Sequence, residues 1–152
     1  MPVRYRSFNE KPFYMFEQVI DPELALKEVE AFLDRKKIYP KRRATLQGAV
    51  DTIAEAIQYG QVTIAEDGAI TQELLDPIVD DKGNAVLSKI SYSARIAPSI
   101  MASKIAALKS QTMEDKLLCH TMAYSGQAAG IINKLESTDR NTCDAISLFF
   151  MV

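Results

Sequence analysis

Apolar residues recur at helical spacing through most of this chain and alternate in only one part of it. Leu26, Val29, Phe32 and Leu33 fall on one face, which predicts an amphipathic helix. Asp21-Pro22-Glu23 is its start signal, an N-cap acceptor followed by proline at the first helical position and an acid in the first turn. Arg35, Lys36 and Lys37 close it with charges that suit its negative pole, and Tyr39-Pro40 breaks it because the residue before proline avoids the α region. A second helix is expected from about Arg42 to Tyr59. Leu46, Val50, Ile53 and Ile57 form its stripe, Ala49 and Ala54 lie beside them, and Gly60 is its left-handed stop. The pair makes an αα-hairpin around a basic elbow.

Between residues 61 and 96 the period changes to two. Val62 and Ile64 alternate before an Asp67-Gly68 turn, and Ile70 answers on the far side. Leu74 to Arg95 follows as a longer hairpin, with Val86, Leu87, Ile90 and Tyr92 on its return and a polar turn at 80–84 whose Gly83 tolerates positive φ. Asp80, Asp81 and Asn84 lack the further acids and closing glutamate of a calcium loop, so this stretch is a turn.

From Pro98 onward the pattern is helical again. Met101, Ile105 and Leu108 share one face. Thr112 caps a helix carrying Met113, Leu117, Thr121 and Tyr124, flanked by Leu118 and Met122, as far as Gly126. A short helix is expected over 127–135, and Ser137 or Thr138 caps a last one through Cys143, Ile146, Phe149 and Phe150. Gly126 and Gly130 form a GxxxG step that predicts close helix packing. The terminal FFMV is too apolar for a free tail and is expected to dock on the core or on a partner.

The first twenty residues stand apart. Tyr5, Phe8, Phe13, Tyr14 and Phe16 place five aromatics within sixteen positions, and Pro2 and Pro12 disfavour a continuous helix there. Such an arm must bury its rings on its own domain or on a neighbour. The reading is an α+β, predominantly helical chain. It has an arm over 1–20 and one compact domain over 21–152, built from a helical hairpin (21–60), a β unit (61–96) and a helical bundle (97–152).

Composition narrows the chemistry. A net charge of −2 gives no overall pull toward nucleic acid or anionic lipid. No run of eighteen apolar residues predicts a membrane span. The opening MPVRYRSFNEKPF lacks the apolar core of a secretory signal, so a cytoplasmic location is expected, with Cys119 and Cys143 reduced and partly buried. The scattered glycines form no phosphate loop, and His120 has no ordering partner in its own stretch. No carboxylate stands in an apolar setting that marks a tuned acid. These residues predict no enzyme, cofactor or metal site. The elbow cations Arg35, Lys36, Lys37, Lys41, Arg42 and Arg43 leave two readings open: a solvated helix end, or nucleic-acid contact through Lys36, Lys37, Lys41, Arg42 and Arg43. The acidic chain favours the first.

Leu75, Pro77 and Ile78, then Gly83, then Ile90, Tyr92 and Arg95 give an extended entry, a polar glycine turn and a return strand ending at arginine. Ser125-Gly126, Leu135, Asp139, Ile146 and Phe149 continue the pattern through the helices. Over Leu74–Phe150, about half of the chain, this resembles the tail assembly chaperones of tailed bacteriophages. The aromatic arm and helical hairpin of the first seventy-three residues depart from that compact pattern. The resemblance implies a non-catalytic role in the host cytoplasm, binding a long helical tape measure protein and tail tube subunits. Protein contacts are then expected at Tyr5, Phe8, Phe13, Tyr14, Phe16, Phe149 and Phe150. Met101, Met113 and Met122 with Ile105 and Leu118 are candidates for an adaptable groove, or alternatively for core. Self-association and a virion adaptor role are further readings of the same features.

Overall fold

The computed structural model describes residues 3–6 and 13–151, with side chains from residue 16 onward. Among these residues there are seven helices and two antiparallel sheets, so the chain is α+β and predominantly helical, as expected. Helix α1 (Pro22–Arg35) begins as its sequence dictates: the Asp21 carboxylate accepts from the Glu23 amide at 2.9 Å, with Pro22 in the first turn. Its buried stripe is Ala25, Val29, Phe32 and Leu33, while Leu26 is 38% exposed. The stripe therefore runs one position away from Leu26. Ala25, the smaller residue, is the one fully enclosed.

The second expected helix is two. α2 (Pro40–Thr45) and α3 (Gln47–Gln58) are separated at Leu46, whose backbone (φ −100°, ψ 7°) leaves the helical region. α2 buries none of its residues, whereas Leu46 is buried. Turning the backbone at this point drops the leucine into the core. Lys37, at φ 56°, is the only non-glycine residue with positive φ among those described. Arg43 fixes the bend by donating from Nε to the Ile38 carbonyl at 2.8 Å and from Nη2 to Asp34 at 2.6 Å.

The larger sheet is a meander, β3 (Val62–Ile64), β4 (Ile70–Val79) and β5 (Ala85–Tyr92), in that spatial order. Gly68 (φ 94°) makes the first turn and Gly83 (φ 81°) the second. The Asp80 carboxylate accepts from the amides of Lys82 and Asn84, each at 2.9 Å, and so does the work of a turn rather than of an ion site. Ile70 pairs with Tyr92 and Gln72 with Ile90, but the register shifts between Glu73 and Ile78. Pro77, which has no N–H to donate, lies inside that irregularity. The arm contains a second hairpin that its sequence did not predict: β1 (Val3–Arg6) pairs with β2 (Phe13–Phe16), Tyr5 opposite Tyr14.

The remaining helices are α4 (Pro98–Ala106), α5 (Met113–Ser125), α6 (Ala129–Ile132) and α7 (Ser137–Met151). Thr112 caps α5, and Gly126 (φ 73°) ends it in the left-handed region. A Cβ on Gly126 or Gly130 would meet nothing within 4 Å, so the GxxxG step is not a close-packing motif and Gly126 serves as a stop. α6 is a single turn, shorter than expected. At the start of α7 the capping group is Glu136 rather than Ser137 or Thr138. Its carboxylate accepts from the Thr138 amide at 2.9 Å and from the Ser137 hydroxyl at 2.7 Å. α3 and α5 both pack on α7, as does β4. Two glycines give opposite expectations for stability. Gly83→Val should cost about 1 kcal/mol or more through its positive φ. Gly48→Ala, in α3 with open space at its Cβ, should gain a few tenths to about 1 kcal/mol. Urea denaturation of the two variants checks both signs.

Candidate functional site

Helix α4 reads PSIMASKIA and buries none of its residues. It packs against α5, yet Ile100 is 45% and Ile105 47% exposed, and Met113 at the head of α5 is 57% exposed. Met101, Met122 and Leu118 are half-buried. All five candidate groove residues thus lie on α4 and α5 and none is enclosed in the core. A helix this apolar ordinarily hides one face, and here several large apolar groups face solvent. The connection into α5 is firmly built. Thr112 Oγ1 accepts from the Asp115 amide at 3.2 Å, and the Ser110 hydroxyl donates to the Asp115 carboxylate. The face therefore rests on an ordered helix start.

The arm residues divide by what is described. Phe16 is 41% exposed, with its ring 5.9 Å from that of Tyr59. Just beyond it, the amides of Val19 and Ile20 donate to the Gln58 carbonyl, strapping the arm to the end of α3. Tyr5, Phe13 and Tyr14 belong to the β1–β2 hairpin by their backbone, while their side chains and the whole of Phe8 lie outside the described residues. Phe149 and Phe150 are core residues, fully and almost fully buried, which corrects their expected role as a contact surface. Phe149 stacks on Phe32 at 5.5 Å, and Phe150 on Tyr124 at 4.1 Å.

The basic elbow does not form one face. Lys37, Lys41 and Arg42 point to solvent, and Arg43 is held by Asp34 and Ile38. Lys36 turns inward, with its Nζ 4.6 Å from the centre of the Phe150 ring and 3.2 Å from the Ala94 carbonyl oxygen. Its pKa is lowered by burial and by repulsion from Arg95.

Asp139 entered the sequence reading only as a step of the family pattern; its buried role escaped that reading, which found no carboxylate in a tuned setting. It is buried in the first turn of α7 and accepts from the amides of Leu75 (2.9 Å) and Asp76 (3.0 Å). Those amides belong to the stretch where β4 loses its register with β5. Gln72 donates from Nε2 to the Asp139 carbonyl and accepts from the Tyr92 hydroxyl at 2.8 Å, completing a buried polar row. Pro77 within a strand was the available signal, since proline in a sheet marks an interrupted ladder. Burial pushes the Asp139 carboxyl up, and its two amide bonds oppose this. A cleft of about 580 Å³ opens beside it, lined among others by Phe16, Glu55, Tyr59, Gln72 and Asn141.

Neither cysteine nor the histidine joins Asp139 as a reacting pair. Burial raises the pKa of both thiols, and a raised thiol pKa suppresses the nucleophilic thiolate. His120 Nδ1 lies 2.8 Å from the Lys116 carbonyl oxygen on its own helix. Among the described residues no group of three or more His, Cys, Asp or Glu is placed to hold a metal ion, and no helix is long and apolar enough to cross a membrane. The geometry makes Asp139 a clamp on an irregular strand. Comparison of the chain with protein-family models, curated proteins and solved structures finds no significant match.

Asp139→Ala should leave two amides without their acceptor and cost about 2 to 4 kcal/mol, whereas Asp139→Asn, which keeps one acceptor oxygen, should cost less. Equal losses on chemical denaturation would reject the clamp. Carboxyl NMR should place the Asp139 pKa above the ordinary aspartate value of about 3.9. The folded state then holds this proton to higher pH than the unfolded chain. The group's contribution to stability accordingly falls as pH rises from the ordinary value through the raised one.

Proposed function

We propose that this chain is a non-catalytic protein-binding assembly factor, of the type its second half resembles, the phage tail assembly chaperones. The uncovered apolar face of α4 with Met113 carries the reading. A tape measure protein is a long amphipathic helix whose apolar stripe needs cover before assembly, and a helix face rich in methionine and isoleucine can repack against successive stretches of it. The half-exposed Phe16 on its strapped arm offers a second contact for a tail subunit or another copy of the chain. The nucleic-acid alternative has less to rest on, because Arg43 is paired with Asp34 and Lys36 is turned onto aromatic rings.

Co-expression with a phage tape measure protein tests the proposal. A complex should co-purify. The Ile100→Glu/Ile105→Glu variant should abolish it while changing unfolding free energy by no more than about 0.5 kcal/mol per site, as exposed positions do. Undiminished capture by that variant would remove α4 as the binding face. Retention on duplex DNA, lost on Lys41→Ala/Arg42→Ala substitution, would instead favour the nucleic-acid reading.

A further inference from the structure

The cation that leaves the basic elbow does not go alone. Arg35 and Lys36 end α1, and Arg95 follows β5, sixty residues further along the chain. All three line one cleft of about 240 Å³, floored by Phe32, Gly68 and Ala94. Gly68 sits in that floor at a backbone angle that favours glycine. Its φ of 94° turns the chain, and a Cβ there would lie 3.6 Å from Ala94 Cβ and 3.9 Å from the Phe32 ring.

The charges in this cleft are poorly balanced. Asp67 is its one carboxylate, and it already accepts from the Ala69 amide at 2.9 Å. Neither Arg35 nor Arg95 forms an ion pair or side-chain hydrogen bond among the described residues. Lys36 has a carbonyl and an aromatic ring for company, but no acid. Three cations facing one carboxylate leave a formal surplus of two positive charges. Arg35 and Arg95 are exposed and Lys36 is half-buried; Lys36 is repelled by Arg95, and an anion relieves such repulsion. Two guanidinium forks and one ammonium group offer the planar and point donors that oxyanions accept.

We infer that the Arg35–Lys36–Arg95 cleft is a binding site for a phosphate dianion, either free or as the terminal group of a phosphate monoester. The dianion matches the surplus of two, whereas a carboxylate or a phosphodiester supplies a single charge. The guanidinium groups, one at the end of α1 and one after β5, bind its oxygens, and Lys36 adds an ammonium donor. This site is independent of the α4 face and stands or falls without it.

Titration of the full chain with inorganic phosphate tests the site, above the second phosphate pKa of about 6, at constant ionic strength and followed by amide NMR. Saturable shifts should centre on Gly68, Ala94 and Arg95. Arg35→Gln and Arg95→Gln, made separately, should each weaken binding roughly tenfold or more, while Lys41→Gln/Arg42→Gln should not change it. The Lys36 ammonium should titrate at higher pH with phosphate bound, a response that loss of packing does not produce. Shifts that fail to saturate, that chloride or acetate reproduces, or that survive both arginine substitutions would overturn the site. A phenyl phosphate arm separates free from esterified phosphate: equal affinity supports a site open to monoesters, and loss of binding restricts it to the free ion. Duplex DNA bound more tightly than phosphate through the same arginines would overturn the dianion assignment.

Discussion

The structure depends on one ring. Phe150, near the end of the described chain, stacks on Tyr124 of α5, meets Phe32 of α1 edge-on at 6.1 Å, and lies 6.5 Å from Tyr92 of β5. Four elements far apart in sequence therefore share one aromatic side chain, and Phe149 binds the same cluster through its stack on Phe32. Burial of large rings dominates core energetics, and their offset or edge contacts add about 0.5–1.5 kcal/mol for each pair. α7 supplies both phenylalanines and so completes the core that α1, α5 and β5 share. Of the two expectations for this apolar stretch, docking on the core or on a partner, Phe149 and Phe150 follow the first.

What was legible in the sequence follows from how local each signal is. The Asp21 and Thr112 caps and the Gly68, Gly83 and Gly126 turns were readable, because each is decided by a few adjacent residues. The two hairpins expected over 61–71 and 74–95 instead share one strand, β4, which runs from Ile70 to Val79. The break at Leu46 and the exchange of Leu26 for Ala25 were not readable. Both are settled by the shape of the surface that α1 and α3 meet, which helical periodicity does not contain. Asp139 was missed for a related reason. Its partners are backbone amides more than sixty residues earlier, and Pro77 marks the interrupted ladder without saying which group fills it. The β1–β2 pairing was obscured by prolines that ruled out helix without specifying strand.

The candidate surfaces show the same division. Periodicity named the methionines and isoleucine of α4 and α5, yet only burial distinguishes a groove from a core. Burial leaves Ile105 and Met113 exposed while enclosing Phe149 and Phe150. A basic run looked like a single patch in the sequence because charge is counted along the chain. In space Arg43 turns toward Asp34, Lys36 turns toward the Phe150 ring and the Ala94 carbonyl, and the run divides.

The buried row of Tyr92, Gln72 and Asp139 also governs where the chain can change length. Each member is fixed to a particular neighbour on another element, and no buried side-chain polar atom among the described residues lacks a hydrogen bond. One residue inserted or removed between Gln72 and Asp76 would carry the Leu75 and Asp76 amides away from the carboxylate and leave it buried without donors. The same change at 80–84 would alter only an exposed loop. Tolerance to a change of length is thereby uneven: the hairpin tip is exposed, while the spacing beneath it is held by hydrogen bonds to a helix that begins sixty residues later.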